Sequence, residues 1–470
     1  MILFKEADNP EYYIEKTKFF YEKNTQKKIE FIKNNKFFYN QISKYLNNIL
    51  NNSESVFMYC CGNSIIKNKI KSDIVAIQDI DKIFMSDSNY NSNKEIKINE
   101  YKTIVIADIE HQKNPIKNLE NLHQNIDDEC KIIVISKSLI WSIFIKIYKL
   151  LFKDSFTSNY NFLPFNYIKN IIDINNFEII RNEKAIVLPI NIPIISNFLN
   201  KIFRLPILNF FCMLNFTVIK KKIIKKDKIF KKKISVIIPC KNEEENIKLI
   251  SNQFCNLGYK TEFIFGNDKS EDNTVKEIKK IHTFDDRIEI KLYEGPGICK
   301  ADNVFKGIDE CTGDIVLIYD ADSTVTFDDI KIALNTLQET NADFINCTRM
   351  IYPQQKGAMK FFNFFGNIFF AYLFSSLFNQ KITDTLCGTK IFYKKNWSKI
   401  KSTKNLSNIK DHWGDYDLLI GAYNNNLKIR EVPVKYRERT AGETKMTSVF
   451  QQGLRMFKLL IFYYFKIRVN

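Results

Sequence analysis

The second half of the chain alternates short apolar runs with amphipathic stretches of helical period. The apolar runs predict five strands, at 234–239, 262–265, 287–292, 315–319 and 342–347. Helix start signals follow two of them, Asn242 with Glu245 three residues on, and Thr326 with Asp329. Strands that alternate with helices in this way predict a mostly parallel sheet with helices on both faces, which is an α/β fold.

The first half has an α/β pattern of its own. Apolar runs predict strands that start at Ser55, Ile74, Thr103 and Lys131. The lysine-rich segment 220–233 predicts a solvated linker that can also contact an anionic membrane. We therefore expect a first domain at 1–219, the linker at 220–233, a second domain at 234–447 and a C-terminal amphipathic helix at 448–470.

The strand at 315–319 runs directly into Asp320-Ala321-Asp322. Side chains alternate along an extended backbone, so Asp320 and Asp322 lie on the same side. Two carboxylates suit Mg²⁺ or Mn²⁺, whose other positions go to water and substrate phosphates. An Asp-x-Asp triplet also occurs in turns and helix caps, but ligands on parallel sheets bind beyond the carboxyl ends of the strands, where this triplet stands. The sequence therefore predicts a metal site here.

Composition narrows the class of protein. The chain has 470 residues, a formal net charge of +17 and a pI of about 9.1, which favours an anionic partner. No nucleic-acid recognition module accompanies the basic residues, so we expect no nucleic acid. Ten cysteines without a C-x-x-C pair predict reduced thiols in the cytosol. Glu6 and Asp8 interrupt any early apolar stretch, which argues against a signal peptide.

Two apolar segments predict contact with a membrane. Residues 358–378 are long enough to cross a bilayer, but Lys360, Asn363 and Asn367 recur at helical spacing, which favours a helix lying in the interface. Residues 456–465 are similar and too short to span. Buried core helices are the alternative. With the positive net charge, the pattern predicts peripheral association with the inner, cytoplasmic face of a membrane.

Four further motifs accompany the Asp320–Asp322 triplet along the second domain. They are, in order around it, Ser235–Glu243, Thr383–Lys390, Gly414–Leu419 and Glu431–Gly442. Together the five resemble family 2 glycosyltransferases with the GT-A fold, and most closely the polyprenyl-phosphate sugar transferases of the dolichol-phosphate mannose synthase type. The resemblance covers about residues 232–447. It implies a metal-dependent, inverting transfer from a nucleotide-sugar donor in cell-envelope glycan synthesis.

The resemblance also implies roles for residues at the donor site. Asp322 is the expected direct metal ligand, and Asp320 lies nearer the ribose or holds the metal through water. The family usually carries two acidic residues at the positions of Asn267 and Asp268, so Asn267 is a departure and the base stays open. A turn with local side-chain bonds is the alternative for this pair. The expected nucleotide-sugar pocket consists of Pro239, Glu243, Asn267, Asp268, Asp302 and Asp320.

Three carboxylates are candidate catalytic residues. Asp415 stands where many family members carry the acid that deprotonates an acceptor hydroxyl, and Asp417 is the alternative. If the acceptor is a polyprenyl phosphate, its nucleophilic oxygen is already anionic, and Asp415 positions the acceptor or the sugar instead. Asp384 is a candidate contact to sugar hydroxyls. The structural alternatives are that Asp415 is an acid at a helix N-terminus, stabilised by the helix dipole, and that Asp384 is a turn residue.

Cations follow the last apolar strand of the second domain. Arg437, Arg439 and Lys445 are expected to clamp the diphosphate or an acceptor phosphate, while a solvated charge run is the alternative. The expected acceptor is a polyprenyl phosphate. The runner-up is a hydroxyl of a glycan or of a lipid-linked saccharide.

The first domain resembles the distal half of class I S-adenosylmethionine-dependent methyltransferases, at 159–172 and 176–180. Its cofactor positions do not match that family. Cys60 and Ser64 replace glycines of the cofactor turn, of which only Gly62 remains, and Met58 and Gln78 stand where two acids belong. We therefore expect a degenerate methyltransferase-type fold that does not bind S-adenosylmethionine. A bifunctional methyltransferase and glycosyltransferase is the alternative.

Overall fold

The chain folds into two compact units, residues 1–222 and 223–470. Both are α/β, so the predicted fold class is confirmed at that level. The computed structural model describes residues 35–50, 55–59, 66, 69–72, 74–78, 98–107, 109, 115–144, 164–205, 208–222, 232–251, 257, 260–282, 285–352, 355, 359, 361–403, 409–439 and 449–466.

The first unit is built on a six-stranded sheet. The order across it is β2-β1-β3-β4-β6-β5, in which β1 to β4 run parallel and β6 runs antiparallel to both β4 and β5. The strands are β1 (Ser55–Tyr59), β2 (Ile74–Gln78), β3 (Thr103–Ile106), β4 (Lys131–Lys137), β5 (Phe177–Ala185) and β6 (Leu214–Lys221). The described helices are α1 (Lys36–Leu50), α2 (Pro115–Asn125), α3 (Phe165–Ile174) and α4 (Ile195–Ile202).

Both faces of this sheet are buried. On β1, Val56 and Met58 belong to one apolar cluster, and Phe57 between them belongs to the other. This two-sided burial explains why the strands appear in the sequence as continuous apolar runs. The strands that were predicted to start at Ser55, Ile74, Thr103 and Lys131 all form.

The predicted linker at 220–233 begins inside the sheet rather than in solvent. Lys220 and Lys221 end β6, every position of which is buried. Lys220 Nζ lies 3.5 Å from Glu129 Oε2, and Lys221 Nζ donates to the carbonyl of Ile126 at 2.7 Å. Burial with these partners corrects the expectation that both lysines are solvated. Residues 223–231 lie outside the described part of the chain.

The second unit contains a seven-stranded mixed sheet of order β13-β11-β12-β10-β7-β8-β9. Only β12 is antiparallel to its neighbours, β10 and β11, among the described pairs, so the expectation of a mostly parallel sheet is confirmed. The strands are β7 (Ile234–Cys240), β8 (Thr261–Asn267), β9 (Ile288–Glu294), β10 (Ile315–Ile318), β11 (Phe344–Thr348), β12 (Lys390–Tyr393) and β13 (Ile429–Pro433).

Helices cover both faces of this second sheet. Ile237 of β7 packs into one apolar cluster, while Val236 and Ile238 pack into the other. The helices are α5 (Glu244–Ser251), α6 (Thr274–Lys279), α7 (Lys300–Glu310), α8 (Phe327–Glu339), α9 (Phe361–Phe378), α10 (Trp397–Ser402), α11 (Asp415–Asn424) and α12 (Val449–Tyr464).

One of the two predicted helix caps forms. Thr326 caps α8, because its hydroxyl accepts the backbone N–H of Asp329 at 3.2 Å. Asn242 does not cap α5 with Glu245 as predicted. Its φ is 51°, and its side-chain oxygen accepts the backbone N–H of Glu271 at 2.8 Å instead. The loop after β8 thus takes over the polar groups that the capping box would have used.

Asn367, in the polar stripe of α9, faces the protein, which corrects its interpretation as part of the polar side of an interfacial helix, and Lys360 lies outside the described residues. Asn367 is buried, and its amide donates to Asp384 Oδ1 at 2.7 Å. The exposed positions of α9 are instead apolar and aromatic, namely Phe365, Ile368, Phe369 and Tyr372. No helix within the described ranges combines the length and the apolar character that crossing a bilayer requires.

Candidate active site

One cavity of about 1410 Å³ opens beyond the carboxyl ends of β7, β10 and β11. This is the edge at which parallel α/β sheets bind ligands. The cavity brings together seven of the residues that sequence reasoning assigned to a site, namely Pro239, Glu243, Asp268, Asp320, Asp322, Asp415 and Arg439. Their individual roles stay predictions.

Asp320 is held by an ion pair across the cavity floor. Lys300, the first residue of α7, places Nζ 2.5 Å from Asp320 Oδ1. Burial alone would raise the pKa of Asp320, but the Lys300 ammonium holds it below its usual value. A Cβ at Gly388 would clash with Asp320 Oδ2 and approach Lys300 Nζ to 2.9 Å, so a side chain there would displace this ion pair.

Asp322 is the more buried carboxylate of the triplet. Its Oδ2 lies 2.9 Å from Arg439 Nη2, and its Oδ1 accepts from the Thr324 hydroxyl at 3.0 Å. Burial and the charge of Asp320 nevertheless raise the pKa of Asp322 above its usual value. This carboxylate therefore lies where additional positive charge is stabilising.

The triplet fits a divalent cation by its donor chemistry. Asp320 and Asp322 offer only hard carboxylate oxygens, and they lie in the wall of a cavity large enough for a nucleotide. Across the described residues, no group of three or more His, Cys, Asp or Glu side chains converges. Water and substrate phosphates would supply the remaining ligands, an arrangement that is usual for Mg²⁺.

Asp415 occupies the first turn of α11. Gly414 before it has a φ of 83°, a conformation that favours glycine. The helix N-terminus is satisfied by Asp411, whose Oδ2 accepts the backbone N–H groups of Tyr416 at 2.8 Å and Asp417 at 3.2 Å. Asp411 therefore satisfies these N–H groups, while Asp415 is an acid in the first turn of α11, as its alternative interpretation expected.

The Asp415 carboxylate lies in the cavity wall and faces a buried lysine. Lys390 Nζ is 3.3 Å from Asp415 Oδ1, and its other contacts are Asn346 Oδ1 at 3.1 Å and the Cys387 carbonyl at 2.7 Å. Burial raises the pKa of Asp415 to about 6, against the opposing effect of Lys390 and Lys300. A carboxyl with such a pKa can accept or release a proton near neutral pH.

The structure corrects the role expected for Asp384. This side chain is fully buried beneath the cavity and accepts from Arg349 Nε at 2.7 Å and Nη2 at 3.0 Å. Asn367 Nδ2 and the Leu386 N–H also donate to it, at 2.7 and 3.0 Å. Burial opposes ionisation, but Arg349 keeps the pKa of Asp384 at about 2. Asp384 therefore orients Arg349 and does not reach sugar hydroxyls.

Arg349 is the site residue that sequence reasoning missed. It directly follows β11, lines the cavity, and places its guanidinium carbon 5.0 Å from the centre of the Tyr436 ring. The bidentate pair with Asp384 fixes the plane of the guanidinium. A signal was present, because a basic residue at the carboxyl end of a predicted strand faces the ligand edge of the sheet.

Two residues assigned to the nucleotide pocket do not line the cavity. Asn267 Nδ2 donates to Glu294 Oε2 at 2.7 Å, across the β8–β9 pair. Asp302 Oδ2 lies 2.5 Å from Lys410 Nζ on the outer side of α7. Both are held by structural partners, so the alternative interpretation of Asn267 as a locally bonded residue is the one that fits its contacts.

Asp417 and Arg437 do not line the cavity either. Asp417 accepts from the Tyr463 hydroxyl at 3.1 Å, which ties α11 to α12. Arg437 is exposed, and its backbone N–H donates to the carbonyl of Thr324 at 3.0 Å. Lys445 lies outside the described residues.

The cavity has a charged floor and an apolar wall. The wall is formed by α9 and α12, which meet where the ring centres of Phe369 and Phe457 are 6.2 Å apart. Its apolar lining residues are Met359, Phe369, Phe370, Leu454, Met456 and Phe457. A ligand with a phosphate head and a hydrocarbon tail matches both parts of this surface.

Comparison with known proteins gives the family of this domain. Residues 235–399 match the model of glycosyl transferase family 2. An enzyme of Methanococcus voltae, UDP-N-acetylglucosamine–dolichyl-phosphate N-acetylglucosaminyltransferase, is 28% identical over 218 residues, which is 43% of this chain and 85% of that protein. A dolichyl-phosphate beta-glucosyltransferase of Trichomonas vaginalis is 22% identical over 244 residues, 49% of this chain and 73% of that protein.

A solved structure is also similar at low identity. Glucosyl-3-phosphoglycerate synthase of Mycobacterium tuberculosis is 14% identical, with 50% of this chain and 80% of that chain covered and a TM-score of 0.37. Nothing about substrate or metal follows from so distant a likeness. The family match, however, covers the Asp320–Asp322 triplet, Arg349 and Asp384, while Asp415 and Arg439 lie beyond it. Residues 235–399 are a family 2 glycosyltransferase domain, and the protein is a glycosyltransferase.

Proposed function

We propose that the second unit transfers a sugar from a nucleoside-diphosphate donor to a polyprenyl phosphate, in a single displacement that inverts the anomeric carbon. The observation that carries the proposal is a cavity whose charged floor continues into an apolar wall between α9 and α12. Similarity to two transferases whose names specify dolichyl phosphate supports this acceptor class.

The donor binds at the end of the cavity that Pro239, Glu243 and Asp268 line, with its diphosphate toward Asp322. Asp322 and Asp320 are the residues that would hold Mg²⁺ or Mn²⁺, and such an ion neutralises the departing diphosphate. Arg439 pairs with Asp322 while remaining partly exposed, so its guanidinium can pass to a diphosphate oxygen when the donor arrives.

The acceptor phosphate binds at Arg349. The Asp384 carboxylate and the Tyr436 ring leave this guanidinium one orientation, so little conformational freedom is lost when it binds an anion. The hydrocarbon chain then lies along the apolar wall, against residues such as Phe369 and Phe457. A phosphate oxygen is already anionic near neutral pH, so the attack on the sugar needs no base.

A second acceptor class is favoured by one specific observation. Asp415 lies in the cavity wall with a pKa raised to about 6 by burial, which is suitable for a general base at neutral pH. Such a base would deprotonate a hydroxyl of a glycan or of a lipid-linked saccharide. With a phosphate acceptor, Asp415 instead fixes Lys390 and positions the sugar.

For the first unit we propose a degenerate methyltransferase-type fold without cofactor binding. Met58 is buried within β1 and pairs in register with Ile77 of β2, so no carboxylate is presented at that position. Gln78 ends β2, opposite Tyr59. The turn at 60–64 lies outside the described residues. A true bifunctional enzyme remains the alternative, and it requires measurable S-adenosylmethionine binding.

We also propose that the enzyme works at the cytoplasmic face of a membrane as a peripheral protein. The net charge of +17 favours an anionic leaflet, and the exposed residues of α9 include Phe365, Phe369 and Tyr372. Aromatic residues on a helix surface suit the boundary between head groups and acyl chains. The polyprenyl acceptor resides in the same bilayer.

The first prediction concerns the metal. Asp322→Asn should lower sugar transfer roughly a hundredfold or more, since the diphosphate loses its charge partner, and should weaken Mn²⁺ binding measured by electron paramagnetic resonance. Asp328→Asn, an exposed carboxylate at the start of α8, is the matched control and should leave both quantities unchanged. Full activity in the presence of EDTA would contradict the metal dependence.

The second prediction concerns Arg349. Arg349→Lys keeps the charge but loses the bidentate contact and the stacking on Tyr436, so KM for a polyprenyl phosphate should rise roughly tenfold or more while KM for the donor stays the same. Arg287→Lys alters another bidentate pair, which is exposed and outside the cavity, and should change neither constant. A rise in the donor KM alone would place Arg349 at the diphosphate instead.

The third prediction separates the two acceptor classes. Asp415→Asn should keep appreciable transfer to a polyprenyl phosphate, because no hydroxyl proton has to leave. Steady-state rates with purified wild-type and variant protein decide the question, with donor binding measured alongside. Complete loss of transfer together with normal donor binding would support the hydroxyl acceptor.

The fourth prediction concerns stability and pH. The pKa of Asp415 is about 6 in the folded protein and lies near 3.8 otherwise, so ionising this carboxyl destabilises the fold above pH 6. Asp415→Asn should therefore increase the free energy of unfolding at pH 8 by up to roughly 3 kcal/mol, which a higher Tm would show. This stabilisation should disappear as the pH falls through 6 toward 4. An equal or lower Tm of the variant at pH 8 would show that attraction to Lys390 stabilises the ionised Asp415 by more than burial destabilises it.

A further inference from the structure

The first unit presents an apolar loop that the proposed transfer does not use. Residues 187–194 and the first turn of α4, here called the apolar finger, carry five exposed large side chains, Ile190, Ile192, Ile194, Ile195 and Phe198. Ile194 is 85% exposed and Phe198 59%. Scattered apolar residues are normal on protein surfaces, but a continuous run of this kind marks an interaction site.

Buried polar side chains hold the finger in place. Ser196 is fully buried, and its hydroxyl donates to the carbonyl of Ile190 at 2.7 Å and accepts the N–H of Ile192 at 2.9 Å. Asn200, also buried, accepts the Leu188 N–H at 2.8 Å and donates to the Leu188 carbonyl at 2.9 Å. The loop is therefore preorganised, and its isoleucines point outward from a fixed backbone.

The tip of the finger is strained. Ile194 has a φ of 65°, and the N–H of Ile195 donates to the carbonyl of Pro193 at 2.7 Å, which forms a γ-turn of the strained, positive-φ kind. A β-branched residue in this region is a genuine outlier. Strain of this sort persists where the surrounding structure enforces it, and it clusters at functional sites.

More apolar surface lies near the C-terminal end of α4. Trp141 Nε1 donates to the carbonyl of Phe211 at 2.8 Å, and the ring of Phe211 lies 6.1 Å from that of Phe203, which directly follows α4. These contacts place the segments 139–144 and 208–211 near the C-terminal end of α4, whose first turn belongs to the finger. Their exposed large side chains are Leu139, Ile143, Phe144, Phe210 and Phe211.

Among the described residues, several cations lie near this surface. The segments 36–50, 138–144 and 184–222 contain no Asp or Glu. Burial lowers the pKa of Lys44 on α1, and the nearby charges of Lys201 and Arg204 lower it further. Lys184 Nζ lies 5.9 Å from the centre of the Phe210 ring. Glu183, which directly precedes Lys184, is buried, and its Oε2 lies 3.3 Å from Arg204 Nη2.

We propose that the apolar finger inserts into the boundary layer of an anionic lipid bilayer and gives the first unit its own membrane contact. Apolar side chains with Lys44, Lys184 and Lys201 in their neighbourhood match acyl chains beneath anionic head groups. A protein surface that covered the same patch would have to supply all of the missing carboxylates, and a second copy of this patch would bring only more lysines. The contact is independent of the acceptor chemistry in the second unit.

The test uses the full chain and vesicle sedimentation. The double variant Ile194→Gly/Phe198→Gln removes two exposed side chains and relieves the positive φ, so its Tm should not fall. Its affinity for phosphatidylcholine vesicles that contain phosphatidylglycerol should drop by roughly tenfold or more. Wild-type binding should weaken in high salt and with phosphatidylcholine alone. The matched control, Ile174→Gln on α3, alters a side chain that is 66% exposed and should bind as the wild type does.

Two outcomes would overturn the proposal. One is unchanged binding of the double variant to anionic vesicles. The other is a change in oligomeric state by analytical ultracentrifugation without a change in vesicle binding, which would assign the finger to a second copy. Transfer to a detergent-solubilised acceptor should stay the same in the double variant, because no finger residue lines the cavity. A wild-type protein that lacks this transfer contradicts the proposed function but not the membrane contact.

Discussion

The need to neutralise three carboxylates inside one cavity governs the architecture of the second unit. Asp320, Asp322 and Asp415 line the same cavity at the edge of the sheet, and each lies within 3.3 Å of a lysine or arginine. Without those cations, desolvation and mutual repulsion would protonate the acids or open the site. The cations come from different elements: α7, β12 and the segment after β13. Neutralising these carboxylates therefore requires contacts between distant parts of the chain. A bound divalent ion would add further positive charge beside them.

The same balance of charges suits the proposed metal–diphosphate donor. Asp322 retains a raised pKa even with Arg439 beside it, and Asp415 has a pKa of about 6 beside Lys390. These carboxylates gain from any further positive charge, whereas Arg349 and Arg439 gain from phosphate oxygens. A metal–diphosphate pair supplies both at once. The apolar wall between α9 and α12 suits the hydrocarbon chain of the proposed lipid acceptor, which would replace water there.

The sequence predicted the features that depend on where strands end. It missed those that depend on the direction in which a side chain points or on which face of a helix packs against the protein. The strands appear in the sequence as apolar runs, and the carboxyl-end rule placed Asp320 and Asp322 at the edge of the sheet where the cavity lies, whereas Asp415 was named from the family resemblance. Asp384 belongs to a recognisable motif, but the motif could not show that its carboxylate turns inward to hold Arg349. The stripe on α9 was visible as a pattern, yet helical periodicity does not tell which face meets protein. Asn367 shows that the polar face does.

The most direct measurement is the chemical identity of the product. Purified protein should be incubated with Mn²⁺ or Mg²⁺, a panel of nucleoside-diphosphate sugars and a short-chain polyprenyl phosphate, and the lipid fraction analysed by mass spectrometry and ³¹P nuclear magnetic resonance. The account predicts a polyprenyl phosphate carrying one sugar, with the phosphorus converted from monoester to diester and the anomeric configuration inverted. A sugar attached to a hydroxyl, or a lipid left unmodified while a glycan is extended, would contradict it.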